Sequence, residues 1–496
     1  MPTTQQLNGA DATGTTCARR ETALTTPTAW QQRPPTGRAR RITAVALTAA
    51  LLVTGGSGCG QDSTSSPTEK STAAPQAAPK APFAPAGLAQ AWKTPPTSSD
   101  WLQSRLMATW RTNTAYYIGR GTGVEILDPA TGKLMGTVTP PEPDMHPCGM
   151  TEGLTAGGLG AIAWIKGNPH HYKASCDRIS LIDTRNGNKI TWTKQINGAP
   201  LDGKAVTDDT TRLAFIAGDV LTVMTPNTVV GLRPDGAEAW TWRNAGVPAN
   251  AYVLNWDMTT HHDRIMVMIG MQGGPELWRY WVATLDATGR EVSAKPVPMP
   301  VPSGGRVRLV GAGPMAAIVL REGFDKTTKP ELVLFARDGS VARRIPLASS
   351  AGDIQLRETS RLGRASRFDI AFGGSTAYLV AGDSMSDTAP TQIVALDLET
   401  GATKWTRPVD IITTPRFLGA DPDNVYVLGG KATKDMPVYA YAAKDGSRTQ
   451  ISTVKSPDTL MPMSGLVIDY SAGNLAVVEP GRGLLFGAVM FRVPGS

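Results

Sequence analysis

From Leu88 onward the chain is built of short apolar runs, broken every few positions by Gly, Asn, Asp, Thr and Pro. The clearest unit reads Met107–Arg111, Ala115–Ile118, Val124–Leu127 and Lys133–Val138, four hydrophobic segments separated by turn formers. Short segments punctuated in this way predict antiparallel strands. Sustained helical periodicity is missing. Ile318–Lys326 is ambiguous, but it is too short to alter an all-β expectation.

A phrase recurs between the third and fourth segments: a hydrophobic residue, Asp, a tight turn and Gly. It reads Leu127-Asp128-Pro129-Ala130-Thr131-Gly132, Ile182-Asp183-Thr184-Arg185-Asn186-Gly187, Leu285-Asp286-Ala287-Thr288-Gly289 and Leu396-Asp397-Leu398-Glu399-Thr400-Gly401. Shorter copies are Pro234-Asp235-Gly236, Arg337-Asp338-Gly339 and Lys444-Asp445-Gly446. An Asp side chain can bond the turn backbone and Gly can take positive φ, so these Asp residues read as hairpin formers and not as acids for catalysis. Trp192, Trp240 and Trp405 follow their Gly at nearly fixed offset, which predicts that they cover the seam to a neighbouring sheet.

The turn glycines lie about 50 residues apart, a blade-sized period. Seven copies are complete. Three more segments, Gly465–Tyr470, Asn474–Val478 and Gly483–Phe491, follow the last, and Leu88–Lys93 precedes the first with a Trp of its own. The economical solution joins both ends in one more sheet, closing a ring. The expected fold is an eight-bladed β-propeller of four-stranded antiparallel blades, with seven blades as the alternative.

This repeat resembles the PQQ-like, or quinoprotein-type, β-propellers across nearly all of residues 88–496, and within them bacterial surface lipoproteins with PQQ-like repeats. The resemblance implies one of several functions: an assembly scaffold, a ligand-binding propeller, or an alcohol dehydrogenase dependent on quinone and Ca²⁺. The dehydrogenases stack an adjacent cysteine pair on the quinone, and this chain has no vicinal cysteines and no Cys-x-x-Cys-His segment.

Composition changes the picture at the N terminus. Arg33, Arg38, Arg40 and Arg41 precede the uncharged run Ile42–Gly55, then Gly56-Ser57-Gly58-Cys59. A basic region, a short apolar core and small residues read as a secretory signal. The apolar run is shorter than the roughly 20 residues that a membrane-spanning helix needs. Gly56-Ser57-Gly58-Cys59 resembles a bacterial lipobox, with Gly56 standing where Leu, Val or Ile is preferred, and it marks Cys59 for lipidation. The expected organisation is a leader and lipoprotein-type signal over 1–58, a disordered tether rich in Ser, Thr, Ala and Pro over 59–87, and the propeller over 88–496. The leader's six Arg against Asp11 and Glu21 supply +4 of the formal net charge of +7, leaving +3 for the rest. That balance gives no reason to expect nucleic-acid binding.

Cys17 lies in the leader and Cys59 at the lipid site, which leaves Cys148 and Cys176 to pair in an oxidising exterior. The alternative is a thiol–imidazole metal site with His146, His170 or His171. Other clusters were weighed for chemistry. Asp421-Pro422-Asp423-Asn424 offers oxygen ligands but sits where a turn is expected. His261-His262-Asp263 does the same, and Met266, Met268 and Met271 read as packing residues. Arg357, Arg361, Arg364 and Arg367 with Glu358 form either an anion-binding rim or a solvated loop. No catalytic residue, cofactor or metal is assigned. The expected function is a monomeric, membrane-anchored binding or scaffold propeller for a cell-envelope protein, a glycan or a small ligand. The alternative is a dehydrogenase dependent on PQQ and Ca²⁺, acting on alcohols or sugars.

Overall fold

Among the described residues every regular element but one is a β-strand, the exception being the 3₁₀ turn Ala217–Asp219. The computed structural model describes residues 87–95, 106–167, 176, 178–196, 212–225, 228–243, 253–261, 263–274, 277–292, 297–302, 305–312, 314–321, 329–349, 352–353, 370–381, 391–409, 415–429, 435–455, 467–471, 474–478 and 487–494. Two units are distinguished, 1–73 and 74–496, and all described residues belong to the second. The leader, Cys59 and the tether expected at the N terminus lie outside the described residues.

The repeat folds as its pattern dictates. Blade 1 consists of Leu106–Arg111, Tyr116–Arg120, Gly123–Leu127 and Leu134–Thr137, paired in that order, each antiparallel to the next. Five further four-stranded sheets follow the same order, and an eight-stranded sheet completes the set. That larger sheet holds two four-strand units. Blade 7 is Arg416–Ala420, Asn424–Leu428, Asp435–Ala442 and Arg448–Lys455. Blade 8 is Val467–Ser471, Asn474–Val478, Ala488–Arg492 and, as its outer strand, Leu88–Lys93. In hydrogen bonding the two units meet in a short parallel contact, Leu88 with Val454 and Ala89 with Lys455. Hydrogen bonding thus counts seven large sheets where strand order counts eight blades.

Packing decides for the ring of eight. Eight hydrophobic clusters each bridge two successive blades. The closing cluster joins Trp92, Ala476, Val478, Ala488 and Met490 of blade 8 to Leu106, Tyr116, Ile118 and Leu127 of blade 1. Each blade therefore buries both faces, which is why its strands are apolar on successive positions, as in Ala161–Ile165 and Ala316–Val319. Both termini meet in blade 8, as the sequence predicts: Leu88–Lys93 runs antiparallel to Ala488–Arg492.

The recurring Asp works as a hairpin former. Asp128 Oδ1 accepts the N–H groups of Ala130 at 2.6 Å and Thr131 at 3.2 Å, and Asp397 Oδ1 those of Glu399 at 2.9 Å and Thr400 at 2.7 Å. Gly132 and Gly401 close these turns at φ of 69° and 77°, a region that costs a side-chain-bearing residue strain. In four of the turns such bonds lower the carboxylate pKa. For Asp397 the N–H of Thr400 is the main cause of a lowered pKa. For Asp445 it is the N–H of Ser447, and for Asp338 the Ser340 hydroxyl. At Asp286 partial burial opposes the same effect, and bonds from Thr288 and Arg290 overcome it.

The tryptophans lock the seams from outside. In four seams a Trp of one outer strand donates its indole N–H to a carbonyl in the next blade's turn: Trp92 to Pro129 at 2.9 Å, Trp192 to Pro234 at 2.8 Å, Trp240 to Ala287 at 3.1 Å and Trp405 to Ala443 at 3.0 Å. The ring then lies flat against the turn glycine. A Cβ on Gly132, Gly289 or Gly446 would stand 2.6, 2.3 or 2.7 Å from the indole, so at these positions only Gly lets the ring approach.

Candidate binding surface

The first strands of successive blades touch one another from blade 1 to blade 5 and again from blade 6 to blade 8, so they line the centre of the ring. Their starting ends lie together. In blade 2, Met145 pairs with Lys166 and Trp164 with Arg178, so the start of the first strand, the end of the second and the start of the third share one end. This end carries the links between blades, and we call it the loop end. The Asp–Gly turns occupy the other.

Charged side chains gather at the loop end, and most are held in place. Arg212 opens the first strand of blade 3, and its Nε lies 3.3 Å from Asp257 Oδ1 on the first strand of blade 4. The two side chains are only 13% and 10% exposed, so each charge depends on the other for compensation. Arg120, 1% exposed, donates from Nη2 to Gly487 O at 3.0 Å and ties blade 1 to blade 8. Arg416 opens the first strand of blade 7 and is likewise buried, while Arg306 and Arg308 stand near the start of the corresponding strand in blade 5.

Blade 2 carries the densest group. Glu142 receives Lys166 Nζ at 3.3 Å on one oxygen and Arg178 on the other. Asp144, at φ 61°, places its carboxylate 3.6 Å from His146 Nε2. Just beneath, Cys148 of the first strand is disulfide-bonded to Cys176, with Cα atoms 6.0 Å apart. Both cysteines are buried in the core between blades 2 and 3. The bond pins the link between the second and third strands of blade 2 to the inner wall.

The remaining sequence candidates separate clearly. In Asp421–Asn424 the carboxylate is consumed locally: Asp421 Oδ1 accepts the N–H groups of Asp423 at 2.8 Å and Asn424 at 2.7 Å, and Oδ2 accepts the Tyr426 hydroxyl at 2.6 Å. Burial, together with that bond, pushes the Tyr426 pKa up to about 12. The phrase is a turn between strands and does not fit a calcium site. His261 is the last residue of a strand and not part of a turn, and Asp263 Oδ2 meets Arg264 at 3.1 Å and Arg337 at 3.3 Å. Met266 and Met268 are fully buried between blades 4 and 5. His170, His171, His262, Arg357, Glu358, Arg361, Arg364 and Arg367 lie outside the described residues, as does the side chain of Met271. Among the described residues no three His, Cys, Asp or Glu side chains come together as metal ligands would.

The pair Arg212–Asp257 escaped the sequence reading. Its signal is faint: opposite charges about one blade apart, each on the first strand of its blade. The Tyr117 hydroxyl, which donates to Asn188 Oδ1 across the seam between blades 1 and 2, left no signal at all.

No family model matches the sequence, and no curated protein does. Solved structures are similar in fold. BamB from Moraxella catarrhalis is 13% identical, covering 82% of this chain and 99% of that one, at a TM-score of 0.43. A quinohemoprotein alcohol dehydrogenase, ADHIIG from Pseudomonas putida HK5, is 11% identical over 82% of this chain and 76% of its own, at 0.47. The β-propeller domain of the Trilobed protease from Pyrococcus furiosus is 12% identical over 71% and 99%, at 0.36. At these identities the likeness concerns the fold alone.

Proposed function

We propose that this chain is an extracytoplasmic propeller that binds or scaffolds a cell-envelope protein, anchored to a membrane by a lipid on Cys59. The observation that carries the reading is where the ring takes up its N-terminal end. Leu88–Lys93 enters as the outer strand of blade 8, and Gly87 lies against Thr453 of blade 7. A segment preceding Gly87 thus joins the ring at its circumference, away from the first strands that line the centre. A tether of the length and composition of 59–87 would reach about 30 Å as a random chain, enough to present the ring clear of a membrane surface. The paired charges of the loop end suit recognition of a polar partner, because their geometry is fixed before contact.

The test is a pull-down from mild detergent, run with the full chain and with its Cys59→Ser form. A membrane-associated wild type, a Cys59→Ser form released from the membrane fraction, and the same envelope protein retained by both are the results expected. Wild type and variant fractionating alike would overturn the anchor. Retention of PQQ with Ca²⁺, together with reduction of an artificial acceptor by an alcohol, would overturn the binding role in favour of a dehydrogenase.

A further inference from the structure

The seam between blades 1 and 2 lacks the clasp that four other seams have. In the third-to-fourth-strand pairing, Trp192 stands opposite Leu181, Trp240 opposite Gly231 and Trp405 opposite Ala395, each on the face toward the next blade. In blade 1 the same register, opposite Ile126, is held by Gly136. Ile126 faces the core shared with blade 2, so Gly136 faces that way too. The turn glycine that should receive the ring is Gly187. No heavy atom of the described residues lies within 4 Å of where a Cβ would stand on either glycine. By contrast, the seam between blades 5 and 6, which also has no Trp, is filled by Ile345 against Gly401.

Leu134, near Gly136, stands opposite Leu127, whose side chain packs toward blade 8, so it faces away from the notch. The floor is firm, because Tyr117 of blade 1 is hydrogen-bonded to Asn188 next to Gly187 and Trp110 donates to Thr151 O at 2.7 Å beneath it. What the notch takes is shown four times elsewhere in this ring: an indole laid on the turn glycine, with its N–H on a turn carbonyl. The outer strands also accept a neighbour, as Arg448–Lys455 does when it pairs with Leu88 and Ala89.

We propose that the notch between Gly136 and Gly187 is a docking site for a tryptophan on an extended segment of a partner protein. The partner supplies in trans the ring that blade 1 omits. Thr184 O occupies the place in its turn that Pro129 O and Ala443 O occupy in theirs, and it would accept the indole N–H. Pre-formed walls make such a pocket an anchor for one aromatic side chain within a larger interface. The inference rests on the interaction role proposed above and adds to the loop end a second contact surface, at the end that carries the Asp–Gly turns.

The test uses the full chain in mild detergent and a labelled peptide with the sequence of residues 188–195, which carries the ring's own docking Trp, beside the same peptide with Ala for Trp. Saturable binding of the Trp peptide alone is expected, weakened about tenfold or more by Gly136→Trp, which fills the notch in cis. Gly136 has no positive φ, so the variant should fold, with a melting temperature at or above wild type. Leu134→Lys, on the face away from blade 2, should leave peptide binding unchanged. No saturable binding below about 1 mM, or equal binding by Gly136→Trp, overturns the proposal. So does a dimer of the chain that Gly136→Trp dissociates, since a second copy would then be the occupant. An envelope protein retained equally by wild type and Gly136→Trp would overturn the notch and leave the interaction role standing.

Discussion

Trp405 offers the most direct test of what holds the blades together. It is 6% exposed, donates to Ala443 O at 3.0 Å, and lies with its ring stacked on Tyr441 at 6.4 Å and 16°. Trp405→Ala removes the whole indole from the seam between blades 6 and 7, and large-to-small changes of this kind cost about 3–5 kcal/mol. The Gly446 turn beneath is held by its own backbone bond from Gly446 N to Ala442 O at 2.8 Å, so the cavity has little means of collapsing. A cost of about 4 kcal/mol is therefore expected. Trp405→Phe keeps an apolar ring and loses the N–H, so it should cost about 1–2 kcal/mol, the net worth of one hydrogen bond plus imperfect fit. Gly446→Ala should fall between them, because its Cβ would meet the indole at 2.7 Å and the backbone has φ of 67°. Urea unfolding of the full chain, followed by tryptophan-independent circular dichroism, reads all three. A loss below about 1 kcal/mol for Trp405→Ala, or equal losses for Ala and Phe, would refute the clasp as a stabilising device.

Three other outcomes follow from geometry described above. Reduction, or replacement of Cys148 and Cys176 by Ser, should cost about 3–4 kcal/mol for a loop closed across 28 positions, read as a fall in melting temperature that dithiothreitol reproduces in wild type alone. Arg212→Met or Asp257→Leu alone should cost about 3 kcal/mol, and the double replacement distinctly less than their sum, because each single change strands a buried charge; a double-mutant cycle reads the difference. The turn carboxylates of Asp338, Asp397 and Asp445 have lowered pKa values, so their contribution is complete above the ordinary value of about 3.9 and is lost as pH falls through the lower folded values. Denaturant midpoints should hold from pH 7 to pH 5 and decline below pH 4, and Asp397→Asn should flatten that decline; an unchanged decline would remove the turns as its source.

Repetition made most of the fold legible. The Asp–Gly phrase fixes a hairpin locally, and its recurrence fixes the blade, so strands such as Asn474–Val478 could be placed to the residue from sequence. The clasp tryptophans were legible for the same reason. What repetition could not show is how neighbouring blades differ. Gly136 is inconspicuous in sequence, and only the register opposite Ile126 identifies it as a missing indole. Arg212 and Asp257 look like isolated charges until two strands are brought side by side. His261 was read as part of a turn because polar residues end strands more often than they extend them, yet it pairs with Arg264 as a strand residue.

The closure of blade 8 also sets a clock. Thr94 accepts the N–H of Ala488 at 2.7 Å, a bond across 394 positions, and Leu88–Lys93 has no other antiparallel partner than Ala488–Arg492. The first strand to be synthesised must therefore wait for the last. At about 5–20 residues per second, that interval is about 20–80 s, during which Leu88 lacks its partners in blades 7 and 8 and Trp92 lacks those in Ala488–Arg492. Every intermediate blade can fold against its predecessor as it emerges, but blade 1 keeps one face uncovered until the end. A cell that makes this ring must protect that face for the whole of its production, and a chain ending before Ala488 would lose part of its cover for good.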